Sequence, residues 1–152
     1  MIARPTTDDL IVDCCRELTE HILPGLTDPT LQVRLVMAET VLRNAAVRAA
    51  HEIAWLRDET ETLYRYALAV AQRHPSPDLA ARLAAVDAAP HGSLHLADVV
   101  TVYAQAGRAF EAALSAAEDA ASDDLVAIAR QLLHERVATE KRIMATYAVV
   151  GR

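Results

Sequence analysis

Residues 30–73 read TLQVRLVMAETVLRNAAVRAAHEIAWLRDETETLYRYALAVAQR, with neither glycine nor proline. Leu35, Leu42, Ala49, Leu56, Leu63 and Val70 recur every seven residues, with Ala46, Ile53, Thr60 and Ala67 between them. A heptad row sustained this far predicts one long helix packed lengthwise on others. Unbroken, it would extend on the order of 60 Å. Its polar weak point is Arg57-Asp58-Glu59-Thr60-Glu61-Thr62, where a kink would fall.

The punctuation on either side sets the remaining elements. Thr6 or Thr7 can cap a first helix, with Asp8 and Asp9 suited to its first turn. Leu10/Ile11, Cys14, Leu18 and Ile22 carry its apolar face up to Pro24-Gly25, which end it. Thr27-Asp28-Pro29 restarts the chain with a capping side chain and proline at the first helical position. Beyond the long helix, Ser76-Pro77 opens a short one from Asp78 to about Ala88, stopped by Pro90-His91-Gly92. Ser93 begins a further helix to about Ala120, and Ser122-Asp123-Asp124 caps a last one running nearly to Val150. Nothing reads as a strand. The expected fold is all-α: an antiparallel helical bundle with one very long central helix, four main helices plus one short helix, in a single domain over residues 1–152.

Composition narrows the function classes. The chain of 152 residues carries a formal charge of −6, with acids and bases interspersed, so no basic face points to nucleic acid. Aromatics are 4% of the residues, and packing therefore rests on Leu, Val, Ile and Ala, which bury little area each when small. Such a bundle needs length, or a partner, to gather apolar contact. Lys141 is the only lysine among the fifteen basic residues, an arginine excess that reads as the codon bias of a high-GC genome. Cys14 and Cys15 are adjacent on a helix, where their side chains diverge by about 100°, so they cannot join in a disulfide. Reduced cysteines suit a cytoplasmic protein. MIARPTTDDLIVDCC lacks the basic start, apolar run and small-residue cleavage site of a secretory signal, and no stretch is apolar enough to predict a membrane span.

Within the long helix, Asn44, Arg48, His51 and Trp55 are spaced by four, three and four residues and share one side. They lie about 200° from the row at Leu42, Ala49 and Leu56. Met37 and Val41 precede them on that side, and Tyr66 follows. Either another helix of the same bundle packs on this patch, or a second polypeptide does. Trp, Tyr, Met and Arg are the residue types enriched at protein interfaces.

Catalytic and metal readings find little. A di-iron carboxylate bundle needs Glu-x-x-His on two helices, and none occurs. Glu17 with His21, His51-Glu52, His134-Glu135 and His91 with His95 are the nearest approximations. Gly25, Gly92, Gly107 and Gly151 are too scattered to form a phosphate-cradling loop. Gly92-Ser93 at a helix start could hold an anion, as could many ordinary helix caps. No nucleophile elbow appears, and neither cysteine has an evident histidine partner. No catalytic, cofactor-binding or metal residue is assigned, and the chain is not expected to be an enzyme.

The opening portion, RPTTDDLIVDCCRELTEHILPGLTDPTLQVRLVMAETVL, resembles a family of small uncharacterised helical proteins. Its members accompany aminoglycoside-phosphotransferase-like kinases, which act on hydroxyacyl-CoA substrates, and acyl-CoA dehydrogenases in bacteria. Arg4-Pro5-Thr6, Leu23-Pro24 with Leu26, Asp28 and Arg34-Leu35 carry the resemblance, which covers the first third to half of the chain. It implies a place beside such an enzyme of acyl-CoA metabolism rather than a catalytic activity. The expectation is therefore a non-catalytic accessory subunit, docking through Met37, Val41, Asn44, Arg48, His51, Trp55 and Tyr66. The alternatives are a homo-oligomer joined by the long helix or, with a metal, a metal-binding four-helix bundle.

Overall fold

Asp28 accepts a hydrogen bond from the Thr30 N–H at 2.8 Å, and Pro29 takes the first helical position behind that cap. From there one α-helix runs unbroken to Arg73, through Asp58–Thr62, in the computed structural model, which describes residues 4–144. The described residues are all-α, and the helices are α1 (Thr7–Glu17), α2 (Pro29–Arg73), α3 (Pro77–Asp87), α4 (Leu96–Asp119) and α5 (Asp123–Met144). None is long and apolar enough to cross a membrane. The expected last turns toward Val150 lie outside the described residues. The chain divides into two compact units: residues 4–52 with 138–144, and Ile53–Val137.

In the first unit, the Asp9 carboxylate accepts from both the N–H and the hydroxyl of Thr6 at the start of α1. Those bonds hold the Asp9 carboxyl below its ordinary value. The end of α1 differs from the expected plain α-helix. Leu18–Ile22 forms a π-helical turn, closed by the Leu23 N–H on the Leu18 carbonyl five residues back, and Leu23–Gly25 a 3₁₀ turn. Pro24 has no N–H to give an α-helical bond and crowds the turn before it, so the helix widens before it stops. Cys15 is buried against the first half of α2, its thiol 3.8 Å from the Glu39 carbonyl oxygen. Burial pushes that thiol's pKa up, while Cys14 faces out.

The second unit is a four-helix arrangement whose directions follow from its side-chain contacts. Glu59 meets Tyr103, and Tyr66 meets Phe110, so the end of α2 and α4 run in the same direction. Arg73 pairs with Asp124 and Glu59 with Arg136, so α5 runs antiparallel to α2. The short α3 returns between α2 and α4, capped by Ser76, whose hydroxyl oxygen accepts from the Leu79 N–H at 3.2 Å. Heptad residues Leu63, Ala67 and Val70 enter a core with Leu79, Leu83, Val86, Ala106, Ala109, Phe110, Ala113, Ala117, Leu125 and Ala129. The alanines of α4 let the helices close in, and Phe110 with Tyr66 supplies bulk.

Two boundaries have local causes. α4 begins at Leu96 rather than at Ser93. The Ser93 hydroxyl oxygen accepts from the His95 N–H and its O–H donates to Asp98 at 2.6 Å, so Ser93 shapes the preceding turn. At the other end, Ser122 N–H bonds the Ala117 carbonyl and Ala121 N–H the Glu118 carbonyl, with Ala121 at φ 50°. That is a left-handed helix stop, built on alanine where glycine is the unstrained choice.

Candidate functional site

The seven residues expected on one face of α2 do not stay together. Met37, Val41, Arg48 and His51 are exposed in the first unit, the first two at 65% and 53%. Val33, four residues before Met37, is 59% exposed and extends their row, which the four-residue spacing of valine, methionine and valine already signals. Asn44 is buried: its amide donates to the Thr40 carbonyl of its own helix at 2.9 Å. Trp55 is half-buried and belongs to the second unit. Tyr66 lies in that unit's core, 5% exposed, its hydroxyl donating to the Leu125 carbonyl at 3.2 Å and its ring 5.0 Å from Phe110. Burial raises its phenol pKa.

For Tyr66 the separation is a consequence of helical pitch. On a straight helix a seven-residue row slips back by about 20° per repeat. A line of four-, three-, four- and eleven-residue steps drifts forward by about 40° over its length. Lying on opposite sides near Asn44, the two rows have converged by Tyr66, which is therefore claimed by the core. What remains as a surface is the upstream row of Val33, Met37 and Val41, with Arg48 and His51 beyond it.

Charge along this row is mostly accounted for within the helix. Arg48 holds Glu52 at 2.8 Å, one turn on, while the Arg43–Glu39 pair lies about 200° round the helix, on the face where Glu39 is buried. Arg34, exposed between Val33 and Met37, makes no ion pair with a described residue. The row is thus an apolar strip bordered by Arg34 and Arg48.

The residues weighed for chemistry are dispersed. Glu17 and His21 approach to 3.9 Å on an exposed surface, and His134 is exposed on α5. The His91 ring donates from Nε2 to the Val86 carbonyl at 2.6 Å, while His95 is the residue before α4. Among the described residues no group of three or more His, Cys, Asp or Glu is placed to hold a metal ion. An open groove of about 520 Å³ between α3 and α4 is edged by Arg82, Arg108, Asp78 and Glu111. Arg82 there is already paired with Asp78 at 3.3 Å.

Comparison with protein-family models, with curated proteins and with solved structures finds no match to this chain.

Proposed function

We propose that this protein is a non-catalytic interaction protein that docks through the first half of α2. One observation carries the reading: Val33, Met37 and Val41, each more than half exposed, stand four residues apart on one face of α2, whereas the other two large apolar residues this exposed among those described, Leu10 and Leu94, lie in α1 and ahead of α4. Large apolar side chains aligned in this way mark sites where another chain excludes water, whereas scattered ones do not. Arginine beside methionine fits the composition of such surfaces.

The resemblance of residues 4–42 to proteins that accompany aminoglycoside-phosphotransferase-like kinases and acyl-CoA dehydrogenases supports an enzyme of that class as the partner, in the bacterial cytoplasm. The physical role is then to stabilise one conformation of that enzyme by binding it preferentially. Self-association is the second reading. The row is symmetric about Met37, so an antiparallel second copy would set Val33 against Val41.

Gel filtration with light scattering tests both readings, on the protein alone and co-expressed with an aminoglycoside-phosphotransferase-like kinase. Co-elution with the kinase, lost in Met37→Asp, is the expected result. A stable dimer alone that Met37→Asp dissociates selects the second reading. Separate elution at micromolar concentration with a monomeric mass overturns both.

A further inference from the structure

We propose that a small cavity in the second unit, where α3 stops short, binds a small oxyanion through Arg57. α3 has 11 residues against the 24 of α4, and past its end the chain turns through Pro90–Ser93 instead of continuing as helix. The space left over is a cavity of about 120 Å³, with Arg57 and Glu61 of α2 on one side, His91 and Ser93 on the other, and buried Val99 and Val102 as its apolar floor. Drug-sized ligands occupy cavities of about 300 Å³ or more, so the occupant is a group the size of a phosphate or a short carboxylate.

The sign of its charge follows from which groups are already compensated. Glu61, one turn after Arg57 and suitably spaced to pair with it, instead pairs with Arg65 at 3.2 Å. Asp98 accepts the Ser93 hydroxyl proton at 2.6 Å. Arg57 makes no ion pair or hydrogen bond with a described residue, although it lines the cavity. A guanidinium presents a planar fork of donors that matches carboxylate and phosphate oxygens, and this one is uncommitted. His91 is turned away from this role: its Nε2–H is spent on the Val86 carbonyl, and Nδ1 of the neutral ring is an acceptor, so Arg57 alone supplies donors to the anion. The apolar floor removes water from one side of the site and strengthens the interaction. This site belongs to the second unit and is independent of the docking row on the first.

The test is an NMR titration of the full chain with inorganic phosphate and, separately, sodium acetate, against sodium chloride at matched ionic strength. The expected result is a saturable shift of the Ser93 and His91 amides and of the Arg57 Nε–H, absent with chloride. Saturation by phosphate alone identifies a phosphate group as the ligand chemistry; saturation by both identifies a single carboxylate-sized oxyanion. Arg57→Gln, at an exposed position, keeps the fold by circular dichroism and weakens binding at least tenfold. Arg82→Gln, in the groove between α3 and α4, leaves it unchanged. Shifts that fail to saturate with either anion, or that persist in Arg57→Gln, overturn the proposal.

Discussion

Glu59 and Arg136 meet at 3.3 Å across α2 and α5, and the same carboxylate accepts the Tyr103 hydroxyl of α4 at 3.2 Å. The Arg136 guanidinium carbon in turn lies 5.9 Å from the centre of the Tyr103 ring. One acid on the polar stretch of α2 therefore ties three helices of the second unit. Because these groups are partly exposed, each link is modest. Glu59→Gln and Tyr103→Phe are each expected to cost ~1 kcal/mol in urea unfolding, with a coupling of about 0.5 kcal/mol in the double mutant. Strict additivity would show that the three side chains do not act as a unit.

Phe110 carries more. It is 6% exposed and packs on Tyr66 in a core otherwise rich in alanine. Phe110→Ala should destabilise by about 3–4 kcal/mol, since few neighbours are large enough to fill the space. Tyr66→Phe keeps the packing and removes only the hydroxyl's bond to the Leu125 carbonyl, at about 1 kcal/mol. A comparable loss from both variants would contradict the division of labour.

The extent to which this core is readable in the sequence depends on period. Leu63, Ala67 and Val70 are legible because a seven-residue repeat has only one structural meaning over such a length. Tyr66 is not, because its row and the heptad row converge through a drift that short spacing arguments ignore. The start of α4 is misplaced by the Ser93 hydroxyl, which serves a turn and not a helix end. The π turn at Leu18–Ile22 leaves no trace in the pattern, since apolar residues four apart suit either helix. The exposed row on α2 is partly legible: Met37 and Val41 are exposed, as their offset from the heptad row implies, whereas Asn44, polar in type, donates its amide to its own backbone and is buried.

Ala121 offers a gain. Its φ of 50° completes the left-handed stop of α4, a conformation that costs an L-residue with a side chain about 1–2 kcal/mol. Ala121→Gly should raise the melting temperature, the relief being reduced by glycine's extra freedom in the unfolded chain. A lowered melting temperature would show that the left-handed turn is not strained.

Acid should weaken the second unit through Asp124. Its hydrogen bonds from Arg73, foremost, and from Ser122 hold the carboxyl down at about 2, from an ordinary 3.8. A carboxylate with a depressed folded-state pKa contributes stability that is fully present above its unfolded value and is lost as pH falls through the folded one. The contribution therefore fades between about pH 4 and pH 2. Asp124→Asn should flatten the pH dependence of unfolding in that window, and an unchanged slope would contradict the pairing.

The central claim is that the row through Met37 is covered by another chain. Peroxide oxidation reads this directly, because Met37 is 65% exposed and its sulfoxide can be counted by mass spectrometry. The account predicts rapid oxidation of Met37 in Val41→Asp, and at least tenfold slower oxidation in the wild-type protein bound to the kinase or to a second copy. Equal rates for Met37 in the assembled wild type and in the Val41→Asp monomer would contradict it.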